Sequence, residues 1–321
     1  MSGIAQTVEK IRLGDVRTIA RTISQVENRT DPSSTEILRQ LFAHSGKAFI
    51  LGVTGSPGVG KSTLVDCLAR HYRQQELKVG IIAVDPTSPF SGGAILGDRV
   101  RMQRLATDPG VFIRSMATRG KLGGLSSAVQ EALIILDAAG FDILIVETVG
   151  VGQDEVDIAR AAQATLVVLI PGLGDDVQAV KAGIMEIGDI FALNKADRQE
   201  VNKAEADLRA SLSLSPRQDG WRPPLVRTVA TQCQGIQELD QAIEDFRGRP
   251  QGRSASRHRA LRLYRQLLVE MLQDRLARRI LESLPECELD GYAEKMMTRE
   301  LDPFTIVDRL LSRAGMGEKK P

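Results

Sequence analysis

The string Gly55-Ser56-Pro57-Gly58-Val59-Gly60-Lys61-Ser62 constrains this chain more than any other, because it stands between the apolar run 48–53 and the amphipathic segment 63–73. That order reads as strand, glycine-rich loop, helix, and it satisfies G-x-x-x-x-G-K-[ST] with the required context on both sides. The glycines let the backbone fold tightly enough for successive N–H groups to face a phosphate chain, and the helix N-terminus adds partial positive charge. In such a loop Lys61 reaches the β- and γ-phosphates and the Ser62 hydroxyl ligates Mg²⁺, with Thr63 opening the helix beside them.

From Lys47 onward, short and nearly continuous apolar runs (48–53, 79–84, 111–113, 143–146, 165–170, 190–193 and 225–229) alternate with amphipathic segments (63–74, 126–139, 156–162, 177–187, 200–212 and 236–246). Strands apolar on both faces belong to a mainly parallel sheet flanked by helices, so the spacing predicts an α/β P-loop domain over 47–249. Ligands of such sheets sit beyond the C-terminal strand ends. Before it, apolar residues at helical steps over 4–26, broken at Gly14, and a serine-capped helix from Ser33 to His44 make residues 1–46 a helical extension. After the break Arg247-Gly248-Arg249-Pro250-Gln251-Gly252, residues 250–321 read as a helical arm. Its stripe Leu261, Tyr264, Leu268, Met271, Leu272, Leu276 and Ile280 needs a partner, either its own domain or a second copy.

The charge balance excludes whole classes of partner. With 42 basic and 41 acidic residues the chain has no global field to recruit nucleic acid or an anionic membrane. The eight arginines between 253 and 279 have a single tyrosine, Tyr264, among them, too little for a base-stacking platform, and read as a solvated helix face. No apolar run approaches a membrane span, and the first residues lack a signal-peptide centre, so the expectation is a soluble cytoplasmic protein. Cys67, Cys233 and Cys287 stand far apart without C-x-x-C spacing, which argues against a disulfide framework or zinc site and for small buried side chains in a reducing compartment.

Three further motifs fall at predicted strand ends. In Asn194-Lys195-Ala196-Asp197, the Asp197 carboxylate can accept from N1–H and N2–H₂ of guanine, where adenine has neither donor. Lys195 would lay its stem over the base, and Val229, Ala230 and Thr231 are placed to offer backbone N–H groups to the guanine carbonyl. Leaving a buried carboxylate unpaired costs several kcal/mol, so ATP should be rejected. The string Glu147-Thr148-Val149-Gly150, with Gln153 soon after, puts an acid and a glycine where a γ-phosphate and its Mg²⁺ are sensed. Gln153 is the side chain near Gly150 suited to positioning water. Asp85 and Asp98 flank a glycine-rich stretch and are acids that can close on Mg²⁺, while the loops 118–125 and 172–181 are candidates for nucleotide-dependent order.

Together the P-loop, Val84-Asp85-Pro86-Thr87-Ser88-Pro89, Gly123-Gly124-Leu125-Ser126, Glu147-Thr148-Val149-Gly150-Val151-Gly152-Gln153 and Asn194-Lys195-Ala196-Asp197 resemble the MeaB/ArgK family of G proteins, along nearly the whole chain. The resemblance implies a SIMIBI-type G domain in a homodimeric GTPase that uses GTP/GDP and Mg²⁺. It also implies an adenosylcobalamin-dependent acyl-CoA mutase as partner, above all methylmalonyl-CoA mutase, whose cofactor loading, protection and reactivation the GTPase gates. By that resemblance Lys61 and Ser62 contact phosphate and Mg²⁺, and Asp85, Asp98 and Glu147 are the Mg²⁺ acids. Asn194 and Asp197 read the base, and Gln178 and Lys181 sit in a third switch loop facing the partner. The chain departs from the pattern at Val229, where a serine is expected before Ala230, so only backbone contacts carry over there.

Hydrolysis is expected to be slow alone and faster with the mutase, since no arginine finger can be assigned. A P-loop kinase acting on a transport-related protein is the alternative, but it would use ATP and an acceptor base. A nickel-inserting GTPase would need clustered ligands, whereas His44, His71 and His258 are scattered.

Overall fold

The computed structural model describes residues 3–28, 31, 33–85, 105–117, 127–148, 162–172, 184–214, 220–249, 261, most of 264–281, and 283–313. Its centre is a seven-stranded sheet made of β1 (Phe49–Thr54), β2 (Val79–Asp85), β3 (Val111–Ala117), β4 (Ile143–Thr148), β5 (Ala164–Leu169), β6 (Ile190–Leu193) and β7 (Leu225–Arg227). The strands lie in the order β3-β2-β4-β1-β5-β6-β7, and every pairing is parallel. β1 is therefore central, between the halves 3-2-4 and 5-6-7, and its C-terminal end is where a ligand of such a sheet is expected.

Each predicted run is a strand because alternate residues enter different cores. Leu51, Val53, Ile81, Ile145 and Val168 face α4 (Lys61–Gln74) and α8 (Ile236–Gly248), through Leu64, Leu68, Tyr72, Leu239, Ile243 and Phe246. Their sequence neighbours Ile82, Val84, Leu144 and Val146 face α5 (Ser127–Ala138) and the N-terminal helices α1 (Gly3–Arg12), α2 (Val16–Asn28) and α3 (Ser33–Phe42). Val167, Leu169, Phe191 and Leu193 pack on Val201 and Leu208 of α7 (Val201–Leu214), which follows the short α6 (Ile184–Ile187). With Ile11, Ile19, Ile23 and Leu41 fully buried, at about 1.5–3 kcal/mol each, the first three helices are a structural layer of the sheet.

Two polar devices fix the joints of that layer. Gly14, at φ 80, separates α1 from α2, and the Asp15 carboxylate accepts from Thr18 N at 2.8 Å to start α2. Asp137 at the end of α5 accepts the amides of Gly46, Lys47 and Ala48, so one buried carboxylate orients the entry into β1. The start of α3 differs from the expected serine cap, since Ser33 N donates to the Asp31 carboxylate at 2.8 Å and Asp31 is the capping residue. β3 runs four residues beyond its apolar stretch, because Arg114 points to Glu27 of α2 (2.7 Å) and not to solvent.

The chain divides into two compact units, 1–263 and 264–321. In the second, the described residues of 264–281 are helical, followed by α9 (Glu286–Met297) and α10 (Pro303–Arg313), which are tied by Arg313 to Glu288 at 2.7 Å. Tyr264, Leu268, Val269 and Leu272 of this unit are 46–67% exposed. No helix among the described residues is long and apolar enough to cross a membrane.

Candidate functional site

The loop from β1 to α4 is shaped by its neighbours as much as by its own glycines. Gly55 has φ 141, and a Cβ there would lie 2.2 Å from the Val168 carbonyl oxygen of β5. Gly60 has φ 96, and a Cβ would lie 2.5 Å from Nδ2 of Asn194. Any side chain at either position collides with fixed atoms, in a backbone region that L-residues rarely occupy. Gly58, at φ 77, completes the turn. The Lys61 side chain is buried inside this ring, with Nζ donating to the carbonyls of Gly55 at 2.7 Å and Ser56 at 3.0 Å. An ammonium held by two carbonyls at a helix N-terminus can exchange them for phosphate oxygens, which are stronger acceptors.

Ser62, in the first turn of α4, donates its hydroxyl to Oε1 of Glu147 at 2.6 Å. Glu147 is buried near the end of β4, and the pairing of Val84 with Thr148 brings Asp85, the last residue of β2, to the same edge. The Ser62 hydroxyl and the Glu147 carboxylate, meeting at the mouth of the phosphate loop, are hard oxygen donors of the type that suits Mg²⁺. Of the other predicted site residues, Asp98, Gln153, Gln178 and Lys181 lie outside the described residues, as does the side chain of Asp85. Among the described residues there is no cluster of three or more His, Cys, Asp or Glu side chains.

At the end of β6, Asn194 is buried and tied on both sides. Its Nδ2 donates to the Val59 carbonyl at 2.8 Å, while Oδ1 accepts from Ala230 N at 3.0 Å and Thr228 Oγ1 at 3.2 Å. It joins the phosphate loop to the segment after β7, a role that motif spacing alone did not reveal. Lys195, at φ 56, reaches back to the Gly58 carbonyl at 2.8 Å, so its stem runs along the phosphate loop. Asp197 is exposed, so its carboxylate is not buried by the protein itself, and the penalty for leaving it unpaired applies only to a base that covers it. The expectation for the third base contact narrows. Val229 N donates to Gln234 O at 3.1 Å, and Ala230 N is taken by Asn194, so both amides are engaged within the protein. Of the three residues, exposed Thr231 is left as the candidate amide for a guanine carbonyl.

The cysteines correct the sequence-based expectation outright. Cys67 of α4 and Cys233, just after the turn Ala230–Gln232, form a disulfide across 166 residues, with Cα atoms 5.5 Å apart. No local spacing signals this pair, because its members meet only when α4 packs against the segment after β7. Cys287 is free and exposed.

The chain matches the family described as "Methylmalonyl Co-A mutase-associated GTPase MeaB" over residues 19–284. A Pyrococcus abyssi relative is 45% identical over 311 residues, 96% of each chain. The Escherichia coli protein GTPase ArgK is 39% identical over 251 residues, covering 76% of each. A Caenorhabditis elegans protein, "Methylmalonic aciduria type A homolog, mitochondrial", is 36% identical over 210 residues, 64% of this chain and 53% of its own. Among solved structures, one described as an LAO/AO transport system kinase superposes with a TM-score of 0.67 at 29% identity, covering 97% of both chains.

Proposed function

The chain belongs to the MeaB family of methylmalonyl-CoA mutase-associated GTPases, and we propose that it serves an adenosylcobalamin-dependent acyl-CoA mutase as a GTP-driven chaperone. In this reading it gates cofactor loading, protects the loaded mutase and takes part in its reactivation. The observation that carries the proposal is the family match across both the phosphate loop and the proposed base-reading segment, supported by a nematode relative described as a methylmalonic aciduria type A homolog.

The site supports the chemistry residue by residue. Lys61 transfers from the loop carbonyls to the β- and γ-phosphates, and Asp197 selects guanine. Ser62 and Glu147, with Asp85 and Asp98, are the residues that would hold Mg²⁺, which when bound neutralises charge on the phosphoryl oxygens. Gln153 is proposed to position water. Gln178 and Lys181 are proposed to face the mutase, which completes a hydrolytic site that is slow alone. The exposed stripe of the second unit supports a homodimer, because apolar faces of that kind are seldom left in water. A kinase function, suggested by the description of the solved relative, is less well supported, since Asn194 to Asp197 favours guanine. Affinity capture from the native source tests the client: an acyl-CoA mutase recovered in a nucleotide-dependent manner supports the proposal, and its consistent absence contradicts it.

A further inference from the structure

We propose that the Cys67–Cys233 disulfide is a redox-controlled clamp on nucleotide exchange, closing the guanine-side segment onto the helix that follows the phosphate loop. The inference rests on the nucleotide site described above and adds a control to it. Cys67 lies one to two turns into α4, the helix whose first residues are Lys61 and Ser62. Cys233 directly follows Ala230–Gln232, and Ala230 already bonds to Asn194, which bonds to Val59. Two links therefore tie the base side to the phosphate side, a hydrogen-bonded one through Asn194 and a covalent one through sulfur. Apart from these links, the segment 229–235 is held by its own backbone bonds and by the burial of Val229 and Ala230. Its own order comes from the paired amides of Val229 and Gln234 and from the tight turn at Gly235, where a Cβ would lie 2.1 Å from Arg227 O. Ala230 joins the main core, and Cys233 packs against it.

The two sulfurs differ in access. Cys67 is 2% exposed, whereas Cys233 is partly exposed. A small thiol of the glutathione class attacks the Cys233 sulfur as thiolate and forms a mixed disulfide there. The S–S bond to Cys67 breaks, and Cys67 leaves as a thiolate that takes up a proton. A second small thiol then releases Cys233, so two small thiols become one small disulfide and the protein gains two thiols. Opening this link lets the segment move away from the base without unfolding α4, which speeds nucleotide release.

The test uses the full-length protein carrying Cys287→Ser, which removes the exposed thiol, loaded with a fluorescent GDP analogue. After oxidised glutathione, intact mass should show the loss of two hydrogens, and analogue release should be about tenfold slower than after dithiothreitol. Amide hydrogen exchange at 229–235 should rise on reduction. Cys67→Ala and Cys233→Ala should each release at the reduced rate in both conditions. Release that ignores the redox state in the oxidised, mass-verified protein overturns the clamp, and so does persistence of both thiols after oxidation. Failure to bind the analogue in either state would instead overturn the nucleotide-site reading, and hydrogen exchange at 229–235 would still decide whether the disulfide restrains the segment.

Discussion

Asp197 and Asn194 stand three residues apart; Asn194 ties the phosphate loop to the segment after β7 and Asp197 is proposed to read the base, and substitution separates the two roles. Asp197 carries no structural bond in the described chain, so Asp197→Asn should fold normally. Guanine nucleotide affinity should fall by about 2–4 kcal/mol while xanthine nucleotides gain, because the new amide donates where the carboxylate accepted. Competition binding with GDP and XDP checks this, and an unchanged preference would remove Asp197 from base recognition. Asn194→Ala should do both kinds of damage, since it strips partners from Val59 O, Thr228 Oγ1 and Ala230 N together. A loss of about 2–4 kcal/mol in denaturant unfolding, with weakened binding of every nucleotide, is the expected pattern. The loop between β1 and α4 was legible in sequence because a strand, closely spaced glycines and a helix start stand side by side in the chain. The structural half of Asn194's role was not, because it depends on the 2.8 Å approach of a loop 135 residues away.

At the scale of elements, seven strands could be read from seven apolar runs, because a parallel sheet covered on both faces leaves no polar alternation to confuse the pattern. The same logic failed where polar residues inside a strand found partners, as in β3, whose Arg114 pairs with Glu27 and hides the strand's true length. The joint between α5 and β1 gives a sharp test. Asp137→Ala removes three backbone partners at a buried site and should cost about 2–4 kcal/mol in unfolding free energy, leaving GDP affinity unchanged once the protein is folded. Loss of binding in the folded variant would mean that the β1 entry helps shape the phosphate loop. Acid sensitivity belongs here as well. The Arg73 guanidinium and the Gly110 amide hold the Asp108 carboxyl below its ordinary value of 3.8. A depressed carboxyl contributes stability that is fully present above that ordinary value and is lost as pH falls through the native one. Asp108→Asn should therefore lower stability at neutral pH and flatten the acid limb of the pH–stability curve, and an unaltered limb would place the acid sensitivity elsewhere.

For the whole molecule, the sequence offered a helical arm with an apolar stripe, and the described residues of 264–281 are helical with Tyr264, Leu268, Val269 and Leu272 exposed. If the stripe joins two copies, light scattering at micromolar protein should report twice the 35.0 kDa chain mass, and Leu268→Glu with Leu272→Glu should return the monomer. A monomeric parent protein would end the dimer proposal. The cysteine pair was illegible at this scale for a topological reason, since its loop spans most of the sheet. Under the proposed function, GTP turnover by this chain is controlled by a cobalamin-dependent mutase. Phosphate release from GTP, followed while purified methylmalonyl-CoA mutase is titrated into a fixed concentration of the protein, decides whether it is. Release should be slow with the protein alone and rise saturably as mutase is added; a rate that stays flat through excess mutase would rule out mutase control.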